Sequence, residues 1–178
     1  MNESISPAAI SLAALSVEYC KVIANCRNTS TKLFLRDILR YLPRIYITIA
    51  DIDPYGDGPD AIVEETMAIY DTLTEDQYNE ARLAIEATLG ENDMYLDTMV
   101  DDMRYSDSPV AVSLAEKLAD LYQDLADYAA TVGQAVEDMI PDVLADLKFR
   151  FSEYLSETIC SALKAANFIY LNANLDNE

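Results

Sequence analysis

Apolar residues recur at steps of three and four along most of this chain. Between residues 114 and 132 they are Leu114, Leu118, Leu121, Leu125, Tyr128 and Val132, the spacing that gathers one face of a helix with 3.6 residues per turn. Ser113 precedes the run with Glu116 three residues on, a capping-box pattern, and Gly133 closes it. A second seam, Leu35, Ile38, Leu42, Ile45 and Ile49, follows a start at Ser30 or Thr31. Pro43 inside it predicts a kink, because proline removes one intrahelical hydrogen bond and crowds the preceding turn. Ser6-Pro7 opens a first helix. Ile10, Ala13, Val17, Cys20 and Ala24 make one stripe there, and Leu12, Leu15, Tyr19 and Ile23 another. Apolar on much of its circumference, this helix is expected to be well buried. Thr74 and Gln77 form a capping box for a helix that runs to Gly90, and a last helix covers roughly 135–172, with Pro141 an early kink or a second start.

The remaining segments lack that period. Asp51–Asp60 holds two glycines and two prolines and reads as a loop. Residues 61–73 fit a helix or an irregular arm, and residues 91–109 fit a short helix followed by an extended run to Pro109. The polar tail Asn172–Glu178 is expected to fray. No run alternates cleanly with a period of two. The fold class is therefore all-α: a single-domain helical bundle of five to seven helices over residues 1–178, with one irregular acidic loop region.

Charge changes this picture most. The 178 residues carry a net charge of −20, with +3 over residues 1–50 and −23 over residues 51–178. That disfavours direct contact with nucleic acid or an anionic membrane and fits high solubility or a basic partner. Histidine is absent, which removes the usual general base near neutral pH and the commonest transition-metal ligand. Four glycines cannot build a phosphate-cradling loop. Three cysteines, Cys20, Cys26 and Cys160, are an odd number and read as reduced, buried thiols rather than a disulfide framework. The first basic residue is Lys21, so no positive stretch precedes the apolar run Ala8–Leu15 as in a secretory signal. The uncharged run Ser4–Val17 falls short of the ~18 residues that span a bilayer. A cytoplasmic protein is expected.

Lys32, Arg36, Arg40 and Arg44 step by four along the second helix, and Glu116, Asp120, Asp124 and Asp127 occupy the back of the helix at 114–132. An amphipathic pattern produces such solvated or mutually paired backs by itself. The sharper reading is that the two stripes are binding faces. A structural role is a buried Tyr–Asp–Arg network that fixes helix register, with Tyr122 and Gln123 beside Asp120 and Asp124, and Arg36 and Arg40 as donors. It predicts that Asp120→Ala lowers thermal stability clearly and that Asp127→Ala does not. In the loop, Asp53, Asp57, Gly58 and Glu64 fall on positions 1, 5, 6 and 12 of an EF-hand, but Tyr55, Asp60 and the two prolines break the pattern, so an acidic surface loop is the better reading. Ser161 and Lys164 match S-x-x-K without its companion elements, and a mid-helix serine bonds its own backbone. No cofactor is expected, and no catalytic constellation converges.

The sixteen residues SLAEKLADLYQDLADY, Ser113–Tyr128, resemble the signature of an uncharacterised bacterial helical family, domain of unknown function 5063, through Leu118–Leu125 (LADLYQDL). Phe34–Tyr46 around Pro43, Thr74–Tyr78 and Tyr105–Asp107 fit in order. Toward the C-terminus that family tends to show Trp-Gly and then Leu-Arg-Ala-Leu-His, where this chain has Tyr154-Leu155 and Leu163-Lys164-Ala165-Ala166-Asn167. The resemblance implies a helical, cytoplasmic protein and supplies no activity. Composition and pattern point to a non-catalytic interaction or structural module, a possible homodimer. The alternative is an acidic decoy that, like DNA-mimicking proteins, offers its −23 portion to a basic surface. A small-ligand or divalent-cation bundle comes third.

Overall fold

A computed structural model describes residues 7–97, 108–173 and 175. Its α-helices are α1 (Pro7–Ala24), α2 (Thr31–Ala50), α3 (Glu75–Leu89), α4 (Leu114–Val132), α5 (Ile140–Arg150) and α6 (Ser156–Asn172). A π-helical turn, Phe151–Leu155, joins α5 to α6 with helical dihedrals at both junctions. Two short strands, β1 (Met94–Asp97) and β2 (Val110–Ser113), pair antiparallel with Tyr95 opposite Val112 and Leu96 opposite Ala111. The all-α reading holds. The hairpin is the exception, because strands of four residues are too short to display an alternating pattern.

The capping residues act as their types require. Ser30 accepts from the Leu33 amide, Thr74 and Gln77 form the full reciprocal box, and Ser113 accepts from the Glu116 amide. At α4, buried Asp93 adds a second cap. Its Oδ1 accepts from the Ala115 amide at 2.7 Å and its Oδ2 from the Ser113 hydroxyl at 2.8 Å, placing a carboxylate at the positive end of the helix. Pro141 sits in the first turn of α5, the second start. α2 continues as helix through Pro43 to Ala50, where the Lys148 ammonium binds the Ile49 and Ala50 carbonyls.

The core lies where α4 meets α1 and α3, and where α2 meets α6. Leu118, Leu121 and Leu125 of α4 and Leu35, Ile38, Leu42, Ile45 and Ile49 of α2 are completely buried, each worth about 1.5–3 kcal/mol against exposure. Two tyrosines lock α1 to α4 in opposite directions. Tyr19 donates to the Leu118 carbonyl at 2.9 Å, and Tyr128 donates to the Ala9 carbonyl at 3.2 Å. Burial pushes both hydroxyls well above their ordinary pKa.

α1 corrects one expectation. Only its Leu12, Tyr19 and Ile23 face is covered; Ile10 and Val17 are exposed. An apolar circumference does not reveal which side meets the core. With 18 residues and a mean hydropathy of 1.4, α1 is also, among the described residues, the helix long and apolar enough to cross a membrane by length and composition, and here it packs on α4 and α2.

The thiols divide as well. Cys26 is buried and Cys20 half-buried, but Cys160 is exposed, against the expectation of three buried thiols. Burial pushes the Cys20 thiol up to about 12, so it stays protonated at neutral pH. Native protein treated with iodoacetamide at neutral pH is expected to alkylate at Cys160 and to leave Cys20 and Cys26 unmodified until denaturant is added, as read by peptide mass spectrometry.

In the tail, Leu175 is buried and its amide bonds the Ala173 carbonyl. Residues 174 and 176–178, Ser6, and Tyr105–Asp107 lie outside the described residues.

Candidate functional site

Residues 61–73 form neither helix nor strand. An extended segment on a protein surface still has to satisfy its amides, and over residues 69–73 this one does so largely through side chains. The Ile69 amide donates to Asp146 Oδ2 at 2.9 Å, the Tyr70 amide to Thr131 Oγ1 at 3.0 Å, and the Thr72 and Leu73 amides to Asp127 Oδ1 at 2.7 Å each. Asp127 Oδ1 also accepts the Thr72 hydroxyl at 2.6 Å. Thr66 donates to the Asp142 carbonyl and Tyr55 to the Asp142 carboxylate. The arm therefore runs antiparallel to α4, held by polar side chains of α4 and α5 that are themselves buried: Asp127 and Asp146 are each 1% exposed.

Asp120, Asp124, Asp127 and Thr131 lie at steps of four, three and four, so they share one face of α4. Each acid has its own role. Half-buried Asp120 accepts from the Tyr78 hydroxyl of α3 at 2.7 Å. Buried Asp124 accepts from Arg150 at 2.9 Å and from the Tyr154 hydroxyl at 2.9 Å. Arg150 also reaches Asp146 at 3.4 Å, so one guanidinium serves two buried carboxylates. Burial raises the Asp124 pKa, with the nearby Asp127 charge adding to it, and the bonds from Arg150 and Tyr154 pull against that rise.

The Tyr–Asp–Arg network expected from the sequence thus exists with other members. Arg36 binds its neighbour Asp37 at 3.0 Å, and Arg40 is exposed. α2 lies on α6 and α1, so the cation that reaches the α4 acids comes from α5 instead. Tyr122 is half-buried near Cys20 and Glu80 with its pKa raised by burial, and the tyrosine on Asp120 is Tyr78. Gln123 is half-buried beside it. Asp127, expected to face water, is the most heavily used acid of the helix. The expectation that Asp127→Ala is harmless is overturned by its three bonds.

The EF-hand spacing gathers no cluster of ligands among the described residues. Both carboxylate oxygens of Asp53 are taken by the amides of its own loop, Gly56 at 2.8 Å and Gly58 at 3.0 Å. Gly56 and Gly58 adopt positive φ, which the turn requires. Asp57 and Glu64 are exposed. Ser161 does not bond its own backbone. It donates to Asp97 at 2.5 Å and is bonded by the Tyr95 hydroxyl at 2.5 Å.

Residues 3–172 match the family model for a domain of unknown function, DUF5063. The chain belongs to the DUF5063 family. A solved structure, that of protein BF1032 from Bacteroides fragilis, superposes with a TM-score of 0.71 over 92% of each chain at 20% identity, a likeness of fold. No functionally curated protein matches. The DUF5063 signature LADLYQDL now has a physical content: its leucines fill the core, while its two aspartates, Asp120 and Asp124, tie α4 to α3 and to the α5–α6 segment. Tyr154 stands where the resemblance expects tryptophan, and like an indole N–H its hydroxyl is a donor, here to Asp124.

Three large apolar side chains of the arm stand in solvent. Ile62 is 98% exposed, Met67 77% and Tyr70 53%. Met67 has a φ of +52°, the one positive value at a non-glycine among the described residues. That conformation costs an L-residue about 1–2 kcal/mol. Between Arg44 and Arg82 the chain has ten acidic side chains and no basic one.

Proposed function

We propose that the protein is a non-catalytic interaction module whose arm docks a basic protein partner. The observation that carries this reading is Met67: a large apolar side chain held in water by a strained backbone on a segment clamped through buried acids. A clamped arm binds without the entropy loss that ordering a loose loop would incur. Apolar anchors supply the affinity, and the acidic surround supplies the sign of the partner and its speed of approach. The same surround supports the decoy reading only in part, since a charge mimic has no use for Ile62, Met67 and Tyr70 in solvent.

The test is capture from a lysate of the encoding organism by immobilised full-length protein. The comparison is an Ile62→Ser/Met67→Asn variant, because asparagine tolerates positive φ. Retained basic proteins should be lost by the variant while its Tm stays level or rises slightly. They should be only partly released from the native protein by ~0.5 M salt, because the apolar contacts are not screened. Equal retention by both proteins, or complete release by salt, overturns the arm as an apolar docking site.

A further inference from the structure

We propose a second binding site, independent of the arm: the open edge of β1, which borders a groove against α6 and accepts an extended, uncharged, apolar peptide strand from another protein. Among the described residues β1 has one strand neighbour. The Leu114 amide bonds the Asp93 carbonyl, so in the antiparallel register Tyr95 and Asp97 direct their backbone groups at β2. The intervening Met94 and Leu96 direct theirs away from it. That leaves N–H and C=O groups at strand spacing, the template another extended backbone completes.

The space beside this edge is a groove of about 710 Å³ between the hairpin and α6, within the usual range for binding pockets. Three consecutive β1 residues, Met94, Tyr95 and Leu96, line it. Ala111 of β2, directly opposite Leu96, lines it too, so the groove runs from the β1 edge over the face that carries Met94, Leu96 and Ala111. Phe168 and Ile169 of α6 form apolar wall opposite, and Met94, Leu96 and Phe168 are all exposed large side chains. The groove is preformed. Tyr95 donates to Ser161, which donates to Asp97, fixing the hairpin on α6 through the face that carries those two residues.

Charge sets the class of occupant. One lysine, Lys164, and one acid, Glu91, are the charged side chains of the described wall. On a chain of net −20 this near-neutral apolar strip does not select the cationic partner that the arm would. It suits an uncharged segment with apolar residues at alternate positions.

A phage library of random peptides about seven residues long, panned on the full-length protein, tests this. Enriched peptides should alternate apolar residues, bind with little dependence on salt, and slow hydrogen exchange at the Met94 and Leu96 amides. Leu96→Pro removes an amide that points away from β2, which an edge strand tolerates. It should abolish peptide binding with Tm little changed, and Phe168→Ser should weaken binding severalfold. The Ile62→Ser/Met67→Asn variant should bind as well as native protein, which separates this site from the arm. Failure to enrich such peptides, protection at other amides, or unchanged binding by Leu96→Pro overturns the proposal. Self-association lost in Leu96→Pro, with no peptide enriched, overturns it in favour of a second copy of this chain as the occupant.

Discussion

Asp127→Ala is expected to lower stability by about 3 kcal/mol: three donors lose a charged acceptor together, each bond worth roughly 1.5–3 kcal/mol, and water reaching the exposed Thr72 and half-buried Leu73 offsets part of the sum. For a chain of this size that is a fall in Tm of roughly 6–12 °C. The loss is local before it is global. Hydrogen exchange at Thr72 and Leu73 should accelerate in the variant at temperatures where α4 remains fully protected, because the arm detaches while the leucine seam holds. Asp127→Asn keeps one oxygen acceptor and should recover part of the loss. Asp120→Ala removes a single half-buried bond to Tyr78, worth about 1 kcal/mol, and should shift Tm by only roughly 2–4 °C. The order of the two alanine variants in a thermal melt decides between the clamp and a solvated acidic back; equal small shifts would exclude the clamp.

Arg150→Met should be the other strongly destabilising change, by about 3 kcal/mol at neutral pH, since removing one member of a buried ion pair strands the others. Asp124 loses its cation and keeps only Tyr154; Asp146 keeps only the Ile69 amide. The pH dependence carries the diagnosis. Asp124 already has a raised pKa in the native protein, so the folded state holds that proton more tightly than the unfolded chain does. Such a group lowers stability at neutral pH, and the loss is recovered as pH falls through the raised folded value toward the unfolded one near 3.9. Without Arg150 the rise is larger. The gap in Tm between variant and native protein should therefore narrow as the pH falls from neutral toward the unfolded carboxylate value. A gap independent of pH would mean that lost packing, not an unpaired carboxylate, causes the damage. Adding Asp124→Leu to Arg150→Met should restore a good part of the stability, as apolar replacement of buried pairs often does.

The seams of α2 and α4 and the caps Ser30, Thr74 and Ser113 were readable in the chain because a core face repeats every three or four residues and a cap sits at a fixed offset from it. The role of Asp127 was not readable. An acid on a helix back has the same period whether it meets water or a segment with no period, and residues 61–73 have none because their amides are satisfied by side chains of α4 and α5. The donor to Asp124 was misplaced for a related reason. The fourfold steps of Lys32, Arg36, Arg40 and Arg44 mark a polar face of α2, but spacing within one helix does not reveal which helix lies against α4. The exposed side of α1 and the four-residue strands failed in complementary ways: one had too much apolar signal, the other too few residues to show any.

Most of the bonds that hold the arm to α4 and α5 use its backbone amides, and the Ile62, Met67 and Tyr70 side chains make none of them. Its outward residues are in this respect a replaceable cassette on a permanent mount. Substitutions at positions 62, 67 and 70 leave the three oxygen-bearing anchors, Asp127, Thr131 and Asp146, untouched, so the outward surface can be rewritten without unmaking the mount. For an engineer the same positions are grafting points, with proline at 69, 70, 72 and 73 the substitution to avoid.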